Sequence, residues 1–181
     1  MQAAVDHKAR FIEYSLRPGS SSDKNLWSKS SLGQNVHCIL PPTTHLLGDV
    51  GYAISEQLMI PYPIKADMDQ SESRYNHLHS RTRITVERAF GLLKGRWRIL
   101  KRGLNMKTPS SIGRTVVACL VLHNLMIDAN DDVDIRDIID EHLSCHNRSS
   151  FQSNGSARSV ALSKRDYIKD YLMQLHGYES E

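Results

Sequence analysis

Cysteine is scarce in this chain. Cys38, Cys119 and Cys145 are odd in number among 181 residues, widely spaced and without a CxxC pair, so neither a disulfide framework nor a zinc knuckle is indicated. Long apolar runs are missing as well: no stretch approaches the ~20 residues a membrane span requires, and residues 1–10 lack the apolar core of a signal peptide. No membrane association is expected, and a nuclear or cytosolic location follows. No internal repeat is visible. Gly91 and Gly95 fall inside a predicted helix without Walker spacing, which excludes a phosphate loop. Asp128, Asn130 and Asp132 begin a calcium-loop pattern, but Val133 stands where glycine is needed and Ile139 where a bidentate glutamate is needed, so calcium is rejected. With 40% hydrophobic and 24% charged residues, the remaining class is an ordinary globular domain with a tail.

Acid is nearly absent from one stretch. Residues 81–102 hold eight Lys and Arg against the single Glu87, although the whole chain carries a formal charge of only +3. The other residues, 15 bases against 19 acids, are net acidic, and a local positive patch of this kind suits a polyanion. Within residues 77–102, Val86, Phe90, Leu93, Trp97 and Leu100 recur at spacings of four and three, which predicts a helix with one buried face. Arg83, Gly91, Lys94 and Arg98 then share a face with Glu87. An i,i+4 ion pair on a solvated helix is the commonest reason for such a glutamate; the sharper reading gives Glu87 a divalent cation and its basic neighbours a phosphate backbone.

A second motif, residues 45–52, is apolar until it meets Gly48-Asp49-Val50-Gly51. It reads as a buried strand ending in a tight turn, with Asp49 at the carboxyl edge where open α/β sheets place ligands. Before it, residues 3–5 and 11–16 read as a hairpin with Asp6 in the turn, followed by a short helix to about Ser31 with Leu26 and Trp27 packed inward. A connector over residues 33–44 comes next. Residues 53–60 read as a short helix running into a strand, and residues 65–76 as an exposed loop. Thr108 with Pro109 opens a core helix, near whose end His123 is a packed, hydrogen-bonded residue rather than a ligand.

These blocks carry a family resemblance. GDVGY, then YNHLHSRTRITVERAFGLLKGRWRIL, then VVACLVLHNLMID, together with the Pro18-Gly19-Ser20-x-x-Asp23 turn, resemble the second half of a PIF/Harbinger-superfamily transposase, whose DDE nuclease domain has an RNase H-like fold. The similarity runs from about Gln2 to about Asp128. It implies an α/β class, a partial RNase H-like fold with a mixed sheet flanked by helices and an extra C-terminal helix. The expected organisation is a truncated nuclease-like domain over 1–128, an acidic then Ser/Asn-rich linker over 129–159, and a helix over 160–176.

The resemblance further implies that Asp49 and Glu87 are the second and third acids of the triad, holding Mg²⁺ or Mn²⁺ for phosphodiester cleavage, with Arg83, Arg88, Lys94 and Arg98 as phosphate contacts. The family's first aspartate lies on a strand upstream of the matched blocks. Asp6 and Asp23 match other places in the pattern, so weak or absent nuclease activity is expected, with another chain able to complete the sheet. DNA and a Myb-like partner protein are the implied partners, and the nucleus the implied location. Against the metal-dependent nuclease stands a catalytically inactive remnant that binds DNA or protein.

Overall fold

The computed structural model describes residues 1–16, 23–41, 43–106, 108–131 and 155–178. The Pro18–Asp23 turn up to Ser22, the body of the calcium-like stretch, Cys145 and most of the expected linker lie outside the described residues. Among the described residues the chain is mixed α/β and mostly helical, with two small sheets. It divides into two compact units, one formed by Met1–Gly19 and Ile84–His146 and the other by Ser20–Arg83 and Asn147–Glu181.

In the first unit, β1 (Gln2–Val5) and β2 (Phe11–Ser15) form the expected antiparallel hairpin, with a register shift between Ala4 and Val5. Asp6 is the turn residue: its Oδ1 accepts from the backbone N–H groups of Lys8 and Arg10, both at 2.9 Å, and its Oδ2 from Arg10 Nε at 2.8 Å. These bonds commit its carboxylate to closing the turn. The chain reverses through Ala9 at φ 65°, a left-handed conformation that costs a non-glycine residue stability and needs support. His123 provides it, its Nε2 lying 2.9 Å from the Ala9 carbonyl oxygen.

His123 is fully buried near the end of α5 (Pro109–Asp128). That helix begins as the sequence predicts, with Thr108 accepting from Ser111 N–H and Pro109 in the first turn. Next to His123, the amide of Asn124 accepts from Phe11 N–H and donates to Phe11 C=O, each at 2.9 Å, so a side chain satisfies the backbone that a third strand would otherwise pair. The core joins Ala9, Phe11, Ala89, Leu93, Val116, Cys119 and Leu120, with Phe90, Trp97, Leu100 and Ile112 packed against it. By length and composition α5 is apolar enough to cross a membrane. Counting uninterrupted apolar runs misses this because Ser110, Ser111, Arg114, Thr115, His123 and Asn124 interrupt the apolar residues of the helix.

The basic helix differs from expectation at both ends. α3 runs Gln70–Arg96, so residues 70–76, expected as loop, are its first two turns. It stops at Trp97, whose φ −109° and ψ 83° are not helical, and a separate turn of helix, α4 (Arg98–Lys101), follows. Leu93 and Trp97 keep their spacing because the Trp97 N–H still bonds the Leu93 carbonyl at 3.0 Å. Arg98, however, no longer extends the face that carries Glu87.

In the second unit α1 (Asp23–Lys29) is followed by α2 (Ser31–Ile39), where the sequence had suggested a connector. Ser30 caps α2 by accepting from Gly33 N–H at 2.9 Å, and Leu32 and Val36, four apart, are its buried positions. A Cβ on Gly33 would lie 2.0 Å from the Trp27 carbonyl oxygen, so the tight α1–α2 junction requires glycine. β3 (Leu46–Leu47) and β4 (Leu58–Met59) pair in parallel. The helix expected ahead of β4 is replaced by a turn closed by Ser55 and Leu58.

α6 (Gly155–Tyr178) is tied to this unit by three adjacent side chains. Lys164 donates to Glu56 C=O at 2.7 Å, Arg165 stacks 3.8 Å over the Tyr62 ring and donates to Pro61 C=O, and Asp166 accepts from Tyr62 Oη. Burial, with the Asp166 carboxylate next, pushes the Tyr62 hydroxyl well above its ordinary range. The Tyr62 backbone is held as Phe11 is: Asn76 accepts from its N–H at 2.8 Å and donates to its C=O at 3.0 Å.

Candidate functional site

Asp49 stands two residues beyond β3, as its sequence motif predicts. The strand ends where Gly48 N–H bonds Met59 C=O at 2.8 Å, and the turn closes through Tyr52 N–H to Asp49 C=O at 3.1 Å. A Cβ on Gly48 would come 3.0 Å from Leu58 Cδ1 and 3.3 Å from Tyr52 Cδ2, tighter than most side-chain contacts. Glycine therefore lets β4 and the turn close around the base of Asp49. Trp27 packs edge-on to Tyr52, ring centroids 6.3 Å apart.

The carboxylate itself is engaged twice. Oδ1 accepts from Val50 N–H at 2.6 Å and lies 3.7 Å from Arg83 Nη1. Asp49 remains 46% exposed at its side chain, against 26% for Arg83. One turn before Arg83 on α3, His79 is buried and its ring Nε2 lies 3.2 Å from Met59 C=O. That bond fixes α3 against β4 and sets where the Arg83 guanidinium falls. Burial holds His79 far down, at about 4, with the nearby Arg83 charge acting in the same direction and the Met59 bond opposing. His45, just before β3, is lowered too, by burial and then by Lys164, and its Nδ1 is buried with no partner.

Glu87 belongs to the first unit, where it is exposed on α3. Arg88 is exposed and Lys94 half-buried on the same helix, while Arg98 is exposed on α4. Arg96, grouped with the exposed cations by sequence, is in fact 8% exposed at its side chain and paired with Asp131. Thus the structure joins Asp49 to Arg83, separates Arg98 from the Glu87 face, and removes Arg96 from the solvated set. The roles of His79 and of Arg83 as partner of Asp49 escaped the sequence reading. Their spacing of four in HLHSRTR was the available signal.

Residues 1–124 match the DDE superfamily endonuclease family. The chain belongs to that family. Its relatives include "Putative nuclease HARBI1" of Mus musculus, 34% identical over 118 residues, which are 64% of this chain and 33% of that protein. The Homo sapiens protein of the same name is 32% identical over the same shares. "Protein ALP1-like" of Arabidopsis thaliana is 27% identical over 188 residues, 95% of this chain and 45% of its own. The chain thus spans a third to under half of the length of these curated relatives. No solved structure matches it.

The resemblance to Harbinger-type nucleases therefore stands, and nucleases of this DDE family generally use divalent metal ions. Among the described residues there is no group of three or more His, Cys, Asp or Glu that could hold one. Asp49, moreover, already faces a guanidinium and a backbone N–H. These residues by themselves do not fit a resident metal.

Proposed function

We propose that this DDE nuclease domain is of Harbinger-transposase origin, RNase H-like in fold, and acts on DNA in the nucleus. In this reading Asp49 and Glu87, which belong to different units, descend from the family's metal-binding acids, and Mg²⁺- or Mn²⁺-dependent cleavage by this chain alone is weak. The observation that carries the reading is the family match over residues 1–124 together with an aspartate two residues beyond a half-buried strand of a parallel pair. Arg88, Lys94 and Arg98 are the proposed phosphate contacts. Arg83 is the weakest of the four candidates because Asp49 already engages it.

Plasmid nicking with Mg²⁺ or Mn²⁺, by the wild type and by Asp49→Asn, tests the enzymatic side. A trace of metal-dependent nicking that the variant lacks is expected; cleavage undiminished in Asp49→Asn would take Asp49 out of the chemistry, and no metal-dependent cleavage in either would remove the nuclease reading.

A second reading is favoured by the lack of a three-ligand set among the described residues: the domain binds DNA, or a protein partner such as a Myb-like protein or another chain that completes its sheet, without cutting. Binding to duplex DNA in EDTA distinguishes it. If three basic side chains neutralise phosphates, affinity falls on the order of 40-fold between 50 and 200 mM salt, and Arg88→Ala flattens that slope by about one contact. Absence of any binding at low salt would sink both DNA-directed readings.

A further inference from the structure

We infer that Arg83 is a built-in counter-ion of Asp49, a positioning residue that holds this carboxylate and keeps a divalent cation from it. The inference rests on the proposed nuclease descent only for the assignment of Asp49; the pairing itself stands on geometry. Arg83 Nη1 lies 3.7 Å from Asp49 Oδ1, and the guanidinium is the less exposed of the two groups. Its place is set from behind by His79, which is buried one helical turn earlier and bound to the carbonyl of Met59 on β4. From in front, the turn that bears Asp49 is closed by Tyr52 N–H and pressed on Leu58 through Gly48. Both ends of the pair therefore belong to fixed backbone, and Val50 N–H orients the same Oδ1.

A carboxylate so placed has one cationic partner already, and a divalent ion approaching it meets a unit positive charge a few ångströms away. The repulsion survives in part even at water-like screening, and about a tenfold loss of cation affinity is its expected size. Arginine suits this role because it stays charged at any pH the protein meets. The half-exposed Asp49 leaves the approach open, so charge rather than access is the obstacle. Arg83 thereby serves its own chain first, which separates it from Arg88 and Arg98.

Direct Mn²⁺ binding to the 181-residue chain, read by electron paramagnetic resonance of free Mn²⁺, tests this without any cleavage assay. Arg83→Gln is expected to bind Mn²⁺ about tenfold more tightly than the wild type, Arg83→Lys to stay near the wild type because it keeps the charge, and Arg83→Gln combined with Asp49→Asn to lose the gain. An Arg83→Gln affinity within twofold of the wild type overturns the inference, as does a gain that persists without the Asp49 carboxylate. Circular dichroism melts of each variant accompany the titration; should Arg83→Gln not fold, Arg83→Met and the Lys variant carry the same comparison, and equal Mn²⁺ affinity of those two overturns it. Tighter Mn²⁺ binding by Arg83→Gln with no nicking by any variant would uphold the inference while removing the nuclease reading.

Discussion

Leu93→Ala is expected to lower the unfolding free energy by about 3–5 kcal/mol, the upper part of the range for a leucine cut from a close-packed core. Leu93 is 2% exposed and belongs to the cluster that draws together the Ala9–Phe11 bend, α3 and α5. No neighbour can collapse into the gap cheaply. Ala89 is already small and fully buried, Phe11 is pinned through its backbone to Asn124, and His123 is pinned to Ala9. Leu100→Ala, at a half-buried position on α4, should cost only about 1–2 kcal/mol by the same reasoning, with less area lost and more room to relax. Urea denaturation gives both values. Equal losses for the two variants would mean that the helical ladder, rather than the buried cluster, sets the energetics.

The second large effect is acid lability. His79 is buried and held at about 4, while in the unfolded chain it titrates near its ordinary ~6.5. Between these values the unfolded state binds the proton and the folded state does not. Its contribution is therefore whole above pH ~6.5, declines as pH falls toward 4, and amounts to about 3 kcal/mol across that window. Burial lowers His45 and His123 in the same direction, so their losses add. Urea midpoints at pH 7.5, 6 and 4.5 should fall steadily, and His79→Gln, which can keep a bond to Met59 C=O without titrating, should reduce the slope. A slope unchanged in His79→Gln would assign the lability elsewhere.

The local structure that carries Asp49 was legible in the sequence, and the reasons are local. Asp49 follows a short apolar run and a Gly-Asp-x-Gly turn, a signal that needs no tertiary knowledge. Thr108-Pro109 likewise announces α5, and Asp6 its hairpin turn. Other features depend on contacts remote in sequence. α2 was hidden because residues 31–39 mix Ser, Gly, Asn and His with only two buried apolar positions, so propensity says loop while the Ser30 cap and the packing of Leu32 and Val36 say helix. The break at Trp97 was invisible because its spacing from Leu93 and Leu100 continues the ladder, although the backbone there leaves the helical region.

The same limit applies to the charges. Sequence groups Arg83, Arg96 and Arg98 as one basic surface, yet Asp49 and Asp131 claim two of them through the fold. Only the distant acid reveals which arginine is spent inside the protein. The expected mixed sheet is not found among the described residues, which hold two separate two-stranded sheets, one antiparallel and one parallel. The hairpin and the parallel pairing follow from their own turns and bonds.

The two asparagine amides that grip Phe11 and Tyr62 have a consequence for how the chain can go wrong. A strand paired only with another strand can slide by two residues with the same face still turned inward. A carboxamide fork offers one donor and one acceptor to a single peptide unit, and it is carried on a helix that does not slide with the strand. Asn124 thus acts as a stop against slippage of β2, and Asn76 anchors the chain three residues beyond β4, which matters most where a sheet is only two strands wide and has little ladder of its own to enforce alignment.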